Sequence, residues 1–340
     1  MTASDEYTVG WICSTAVDYI AARAVLDITH PQPKPGSFYT TTHYTLGEIG
    51  NRNVVVTFIS RDEDGLSSAN AATVADNMLH EFHNIKFGVA VGVGGGAPSD
   101  QHDIRLGDVV VSTPGNGQGG VLQFDFGKVI QGEEFRWTGH LNKPPAILRA
   151  AVSGLRVEYE REGHNIQGAI NNVLEDRPQL QEKYRRPDPS TDRLYEPGQA
   201  HPPTDRSSCT TACGNDASTL VSRDERTASD DNPAIHYGLI ASADTLLHDA
   251  EIRDTLADRH DALCFEVGAA GLMDIFPCLV IRGICSYSDS HNTEEWRGHA
   301  AMAAAVYAKS VLSRLAPNEK ETQQSAFVPA MSHLSLHQTV

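Results

Sequence analysis

A run of glycines after an apolar stretch is the first feature of this sequence that could do chemistry. Residues Phe87 to Val93 are almost continuously apolar, and the chain then runs directly into Gly94-Gly95-Gly96. Together with Gly92, these glycines could let backbone N–H groups approach an anion such as phosphate closely, because no Cβ stands in the way. The alternative is a tight exit from a strand with no ligand, and the glycines alone do not decide between the two.

Hydroxyl, carboxyl and imidazole groups are concentrated near the C-terminus, in the run Ser286-Tyr287-Ser288-Asp289-Ser290-His291. Asp289, Ser290 and His291 have the composition of a catalytic triad. Triads are assembled from separate segments, however, so three adjacent residues do not predict one. Arg282, just before this run, could bind an anionic ligand or form a structural salt bridge, and both interpretations stay open.

The chain has six cysteines, and their surroundings differ. Cys13, Cys264, Cys278 and Cys285 lie in apolar segments, which predicts buried free thiols. Cys209 and Cys213 are four residues apart in a polar segment, where His201 is the only further ligand nearby. Since structural zinc sites usually have four protein ligands, we predict no metal.

Apolar strands alternate with amphipathic segments along the chain, which predicts an α/β fold with a mixed central sheet flanked by helices. Strands are predicted at residues 7–13, 39–47, 53–59, 87–93, 108–112, 121–126, 236–242, 262–265 and 278–285. Helices are predicted at residues 16–28, 67–82, 146–155, 246–256, 269–275 and 298–315.

One domain, residues 1–316, is expected to contain all of these elements. Within it, residues 175–232 are rich in Asp, Arg, Pro, Ser and Thr and have little apolar periodicity. We predict that they form a polar, mostly exposed and partly disordered insertion. Residues 317–340 are polar and are expected to be a flexible tail.

Composition excludes several classes of partner. Hydrophobic residues make up 40% of the chain and charged residues 21%, as in ordinary globular proteins. The net charge of −17 opposes contact with a phosphate backbone, so we expect no nucleic-acid partner. The sequence has no apolar run of about 20 residues and no basic segment followed by an apolar one at its start, so we expect a cytoplasmic protein with no membrane partner.

Two neighbouring segments carry a family resemblance. Cys264-Phe265-Glu266-Val267-Gly268-Ala269-Ala270-Gly271, followed by residues 282–291, resembles the C-terminal half of the purine nucleoside phosphorylase and methylthioadenosine nucleosidase superfamily, in the form common in fungal proteins. The opening strand and helix, the glycine run, residues 103–110 and residues 240–244 extend the resemblance to about residues 7–315, excluding the insertion. It implies a three-layer α/β fold, a homo-oligomer, a small-molecule ligand, and a glycine loop that faces phosphate or a sugar substituent.

The three acids of that family's chemistry are all altered here. Asp18 stands where a longer Glu is usual in the pattern that follows the opening strand. Gly268 stands where a Glu would accept hydrogen bonds from the ribose hydroxyls, and Ser286 where an Asp would protonate the purine. General-acid catalysis contributes typically 10²–10⁴-fold, and a Ser hydroxyl does not supply it near neutral pH.

These comparisons define a candidate site and three hypotheses. Asp18 and Asp289 are the candidate catalytic residues, although in the family the acid at the position of Asp289 coexists with the missing ones. The candidate ligand-binding residues are Gly92, Gly94, Gly95, Gly96, Asp244, Phe265, Glu266, Val267, Gly268 and Ser286. We expect no cofactor, with phosphate as a candidate co-substrate or bound anion.

The preferred hypothesis is an enzyme re-used for a non-nucleoside metabolite, with a phosphate-bearing or apolar substrate and a cyclisation, isomerisation, elimination or hydrolysis as its reaction. The alternatives are residual N-glycosidic cleavage and a ligand-binding module without catalysis. The absence of a signalling or repeat domain beside this one is taken to count against the binding module.

Overall fold

The computed structural model describes residues 3–31, 42–59, 67–205, 207, 209–214, 216–226, 233–291 and 294–315. The predicted tail at 317–340, residues 39–41 of a predicted strand and residues 227–232 of the insertion lie outside these ranges. The helices are α1 (Ala16–Ala24), α2 (Ser68–Glu81), α3 (Ala146–Glu162), α4 (Ile166–Glu175), α5 (Gln181–Tyr184), α6 (Cys209–Ala212), α7 (Ala250–His260), α8 (Ala270–Met273) and α9 (Arg297–Ser313). Short 3₁₀ helices lie at Ala3–Glu6, Pro178–Leu180, Pro189–Thr191 and Ala217–Thr219.

A ten-stranded mixed sheet forms the centre of the fold. Its strands are β1 (Val9–Cys13), β2 (Ile28–Thr29), β3 (Thr45–Ile49), β4 (Arg52–Phe58), β5 (Phe87–Gly96), β6 (Val109–Ser112), β7 (Val121–Gln123), β10 (Ile235–Ala243), β11 (Ala262–Val267) and β12 (Cys278–Ser286). The separate hairpin consists of β8 (Gly127–Lys128) and β9 (Arg136–Trp137). The order in the sheet is β11-β10-β6-β12-β5-β1-β4-β3-β2, with β7 beside β10.

The edge strand β11 also pairs with β5, a strand in the middle of the sheet. β11 pairs with β10, and its residues Cys264 and Phe265 also pair antiparallel with Gly96 and Gly95 of β5. The strands from β11 to β5 therefore close into a ring. This closure brings the carboxyl ends of β5, β11 and β12 together.

Alternating side chains cover both faces of the sheet. In β1, Trp11 belongs to a core cluster that includes residues of α1, α3, α4 and α9, while Ile12 belongs to a second cluster with residues of α2 and α8. This period of two is the pattern of a strand buried on both faces. The result is the three-layer mixed α/β architecture that the sequence predicts.

Helix α9 is buried almost all round. Gly298 to Ala308 are all buried, and small side chains let the helix backbone come close to the sheet. A Cβ atom on Gly283 of β12 would lie 1.9 Å from the carbonyl oxygen of Ala300. No helix in the described ranges has the length and apolar character needed to cross a bilayer.

Several predicted boundaries move for local reasons. α1 ends at Ala24 rather than near residue 28, because Ile28 and Thr29 pair with β3. α7 begins at Ala250 rather than 246, where the side chain of Asp249 accepts a hydrogen bond from the Ile252 N–H at 2.9 Å. α4 was not predicted, although a capping Asn165 and apolar side chains four residues apart are present in the sequence.

A few residues of the predicted insertion, residues 175–232, pack into the body of the fold. Tyr184, Leu194 and Tyr195 are buried, and the Tyr184 hydroxyl donates to the Val17 carbonyl at 3.0 Å. Some charged side chains of the insertion also have buried partners, which its polar composition does not show.

One such partner is the buried carboxylate of Asp108 in the body of the fold. Arg226 of the insertion binds it with nitrogen–oxygen distances of 2.6 and 2.7 Å. Although burial raises the pKa of Asp108, hydrogen bonds from Arg226 and His236 hold it below its ordinary value. The insertion is thus fixed to the body of the fold by this ion pair.

Candidate functional site

A cavity of about 300 Å³ lies at the carboxyl ends of the parallel strands. Open α/β sheets commonly bind ligands at this edge. The lining residues follow β1, β5, β10, β11 and β12, with contributions from the segment after β7 and from the start of α9. They are Ser14, Thr15, Val93, Gly94, Gly95, Phe124, Thr245, Leu246, Leu247, His248, Phe265, Glu266, Val267, Cys285, Ser286, Ser288, Glu294 and Arg297.

Half of the residues predicted to bind a ligand or catalyse a reaction line this cavity. Those that do are Gly94, Gly95, Phe265, Glu266, Val267 and Ser286. Those outside the lining are Asp18, Gly92, Gly96, Asp244, Gly268 and Asp289. Both candidate catalytic carboxylates are therefore set back from the cavity.

The glycine run belongs to a strand rather than to a loop. Gly94 and Gly95 are paired with β12, and Gly95 and Gly96 with β11. A Cβ on Gly95 would lie 2.1 Å from the Ser288 Oγ, and one on Gly92 would lie 2.6 Å from the Ser14 Oγ. At these two positions the missing side chain makes room for neighbouring protein, so the prediction of a loop is corrected and close packing accounts for the glycines.

Glu266 is held by the protein itself. Its Oε2 lies 2.5 Å from Arg282 Nη2, and its carboxylate accepts from the Ala269 N–H at 3.2 Å. Both side chains are almost fully buried, with exposures of 1% and 2%. Burial alone would lower the pKa of Arg282, but the nearby Glu266 raises it, so the guanidinium stays charged. The carboxylate of Glu266, two residues before Gly268, is therefore already bound by Arg282.

Asp18 caps the start of α1. Its Oδ2 accepts from the backbone N–H of Thr15 at 2.9 Å and from the Thr15 hydroxyl at 2.7 Å. Its Oδ1 is buried and has no hydrogen-bond partner within the described ranges. Burial raises the pKa of Asp18, and the hydrogen bonds from Thr15 and the charge of Arg282 offset only part of this effect.

The two substituted positions differ in their relation to the cavity. Ser286 ends β12 and lines the cavity. Gly268 has φ of +100°, in the left-handed region that other residues rarely adopt. The backbone conformation at residue 268 therefore favours glycine, and this residue supplies no carboxylate.

The carboxylates of Asp289 and Asp244 both accept hydrogen bonds from backbone N–H groups of the protein. Asp289 is buried, and its Oδ1 accepts from the His291 N–H at 2.9 Å. Asp244 is exposed and accepts from the Ser68 N–H at 2.7 Å, at the start of α2.

Four side chains that the sequence analysis did not select contribute much of the cavity's chemical character. Phe124 meets Phe265 edge to face, with ring centroids 5.5 Å apart. Arg297 Nη1 lies 2.8 Å from Glu294 Oε1. His248 Nδ1 lies 3.4 Å from the carbonyl oxygen of Asp289. Arg297 could have been selected from the sequence because it is the first residue of the last helix. Phe124 follows a three-residue strand, and nothing in the sequence marks it as a cavity residue.

The cysteines agree with the sequence prediction except at one position. All six are free, and Cys13, Cys264 and Cys278 are buried as predicted. Cys285, also predicted to be buried, is half-buried because it lines the cavity at the end of β12. Cys209 and Cys213 come together with His201, and one ligand atom from each of the three residues lies within 4.8 Å of the other two.

Comparison with known proteins gives a fold and one curated relative. No family model matches the chain. A "Nucleotide-binding leucine-rich repeat (NLR)-like protein" of Hyaloscypha variabilis is 39% identical over 319 residues, which are 93% of this chain and 30% of that protein. The chain thus spans about 30% of the length of this relative.

Solved structures similar to the chain include two named nucleosidases and a futalosine hydrolase. The 5′-methylthioadenosine/S-adenosylhomocysteine nucleosidase of Neisseria meningitidis is 16% identical with a TM-score of 0.57, over 91% of this chain and 99% of that one. The corresponding nucleosidase of Helicobacter pylori is 14% identical with a TM-score of 0.56, over the same shares. Futalosine hydrolase of H. pylori is 13% identical, with a TM-score of 0.56 and again the same shares. The chain therefore has the fold of the nucleoside phosphorylase and nucleosidase superfamily, as the sequence resemblance implied.

Proposed function

We propose that the chain is an enzyme of nucleosidase fold that has lost N-glycosidic cleavage and acts on a small molecule other than a nucleoside. One observation carries this proposal. Of the two carboxylates in the described cavity lining, Glu266 is neutralised by the buried Arg282, and Glu294 is largely exposed and forms only a surface ion pair with Arg297. The positions where the resemblance implies a ribose-binding Glu and a proton-donating Asp hold Gly268 and Ser286.

The missing acids would make nucleoside cleavage slow. Without a general acid at residue 286 the loss is about 10²–10⁴-fold. Loss of ribose positioning adds to this, because correct geometry supplies much of an enzyme's effective molarity. Asp18 and Asp289 do not line the cavity, so neither is placed to substitute directly.

The lining favours a ligand with an apolar body and one anionic group. Phe124, Phe265, Leu246 and Leu247 supply apolar surface. Arg297 supplies a positive charge, and its partner Glu294 is 73% exposed. Exposed ion pairs contribute little stability, so a ligand phosphate or carboxylate could replace Glu294 at little cost.

His248 is the side chain best placed to move a proton. Its Nδ1 lies at hydrogen-bond distance from a carbonyl oxygen, which can only accept, so Nδ1 carries the proton in that contact. The Nε2 atom then keeps its lone pair. This nitrogen can then accept a proton from a substrate.

A second candidate function is a ligand-binding module that lacks catalysis. The observation that favours it is the curated relative, whose name describes an NLR-like protein and which is much longer than this chain. In that case the same cavity would bind its ligand without turnover. The wild-type protein would then return the bound molecule chemically unchanged after prolonged incubation, as mass spectrometry of the released ligand would show.

Base release tests the loss of nucleoside cleavage. Purine nucleosides and methylthioadenosine are incubated with the protein at high concentration, with and without phosphate, and free base is measured by chromatography. We expect no release above the buffer control. Robust release of adenine or hypoxanthine would refute the proposal.

Ligand class is tested with phenyl phosphate, inorganic phosphate and benzyl alcohol as probes in a thermal-shift assay. We expect phenyl phosphate to stabilise the protein most, because it offers both an aromatic ring and an anion. Arg297→Gln should remove its advantage over benzyl alcohol. Arg161→Gln, which changes a guanidinium whose side chain is 73% exposed, is the matched control and should retain that advantage.

A further inference from the structure

A cluster of soft metal ligands lies in the insertion, outside the cavity lining. The Nδ1 atom of His201 is 3.2 Å from the Cys213 sulfur and 3.6 Å from the Cys209 sulfur. The ligand atoms of all three residues lie within 4.8 Å of one another, and all three residues are half-buried. Two thiols and one imidazole in this arrangement are typical ligands of zinc.

The ring of His201 is oriented with its Nδ1 available to a metal. Its Nε2 lies 2.9 Å from the carbonyl oxygen of Asp205. A carbonyl oxygen only accepts, so Nε2 carries the proton and Nδ1 keeps its lone pair. Metal-binding histidines usually donate their second N–H to a carbonyl or carboxylate in this way.

The two sulfurs and Nδ1 form one contiguous cluster. Without a metal, the thiols of Cys209 and Cys213 hydrogen-bond to each other as well as to Nδ1. A cation among the three ligand atoms would replace the thiol protons and bind both sulfurs and the nitrogen together.

His291 is the candidate fourth ligand. It is only 7% exposed, and neither ring nitrogen has a hydrogen-bond partner within the described ranges. Its ring stacks on Tyr195 with centroids 3.8 Å apart, and it stands at 90° to the His201 ring with centroids 6.1 Å apart. A buried imidazole without hydrogen-bond partners, close to the ring of His201, is an independent indication of a ligand.

Asp289 would fix the orientation of His291. The Asp289 Oδ2 atom is buried, has no partner within the described ranges, and lies 3.7 Å from His291 Nδ1. A proton on Nδ1 facing this carboxylate leaves Nε2 for the metal. Carboxylate–histidine–metal arrangements of this kind are common in zinc sites.

We propose that Cys209, Cys213, His201 and His291 bind one Zn²⁺ ion with S₂N₂ coordination, contrary to the expectation from the sequence. On binding, the ion replaces the two thiol protons, which pass to solvent, and two thiolates then balance its two charges. His291 lies outside the three-residue cluster, so its ring moves toward the ion. The metal links the insertion to the segment that carries Ser286 and Ser288 in the cavity lining.

The test is metal content and cobalt spectroscopy of the full chain, purified under reducing conditions without an immobilised-metal column. We expect about one zinc per chain by mass spectrometry, as for other structural sites. Cobalt added to the metal-free protein should give thiolate charge-transfer bands and the intense visible bands of tetrahedral coordination. Cys209→Ser/Cys213→Ser should abolish both signals, whereas the matched control Cys278→Ala, at a buried thiol far along the chain, should keep them.

His291→Ala separates a four-ligand site from a three-ligand site. We expect zinc affinity to fall by at least 10–100-fold, the loss that even outer-shell changes cause, with altered cobalt visible bands. An unchanged affinity and spectrum would overturn the role of His291. Less than about a tenth of a zinc per chain with no cobalt bands, or a Cys209–Cys213 disulfide in the reduced preparation, would overturn the site itself.

Discussion

Breaking the ion pair between Arg282 and Glu266 should destabilise the fold severely, and the size of the effect follows from burial. The two side chains are 2% and 1% exposed, with 2.5 Å between Arg282 Nη2 and Glu266 Oε2. In Arg282→Met the carboxylate keeps the Ala269 N–H but loses its counter-charge. Removal of one partner from a buried pair costs about 3–5 kcal/mol in the free energy of unfolding.

The pH dependence of the stability loss should differ between the two single variants, Arg282→Met and Glu266→Gln. In Arg282→Met the unpaired carboxyl of Glu266 can take up a proton, so the folded state binds that proton more tightly than the unfolded state. Stability contributed by this proton is present at low pH and is lost as the pH rises. We therefore expect a smaller loss at pH about 5 than at pH about 8. In Glu266→Gln the remaining guanidinium cannot lose its proton, so the loss should be the same at both pH values.

Urea unfolding of the wild type, both single variants and the double variant provides the measurement. The double variant Glu266→Gln/Arg282→Met should recover more than half of the summed losses, because no buried charge remains unpaired. Arg161→Gln, at an exposed ion pair, should change stability by less than about 0.5 kcal/mol. A loss below about 1 kcal/mol for Arg282→Met at pH about 8 would refute the reasoning and leave Glu266 available to a ligand.

Three other substitutions test the positions that set this cavity apart. Gly268→Glu should lower the free energy of unfolding by about 1–3 kcal/mol, because φ is +100°; an unchanged urea midpoint would contradict this. Gly95→Ala should cost about 1–3 kcal/mol, because its Cβ would lie 2.1 Å from the Ser288 Oγ and 2.9 Å from the Ser288 backbone nitrogen. Gly95→Ala/Ser288→Gly should recover only part of that loss in the same assay, because the backbone contact remains. Asp18→Asn should reduce the change in unfolding free energy between pH about 4 and 7. Burial raises the pKa of Asp18, so the wild type loses stability as the pH rises through that pKa. An equal pH slope of the unfolding free energy in both proteins would contradict this effect.

Local sequence patterns were sufficient to predict the layers of the fold. The apolar runs at residues 7–13 and 87–93 predict strands, and both segments form strands of the central sheet whose side chains are divided between the two core clusters. The ring closure was not predictable in this way. It depends on the antiparallel pairing of Phe265 with Gly95, a contact between residues far apart in the chain.

The candidate site was predicted only where residues lie directly at strand ends. Phe265, Glu266, Val267 and Ser286 line the cavity because β11 and β12 end there. The sequence did not indicate that Glu266 is neutralised by Arg282, since this depends on how two separate strands face each other. The attachment of the insertion to the body of the fold was not predicted for a related reason, because composition does not show that a charged side chain such as Arg226 has a buried partner.

The close contact between β12 and α9 places a requirement on the sequence that is independent of any reaction. Gly283 has the Ala300 carbonyl where a Cβ would be, and Gly95 has the Ser288 hydroxyl there. Packing alone therefore favours glycine at both positions, whatever occupies the cavity. The glycines of this region thus mark the fold, and a reaction has to be inferred from other residues.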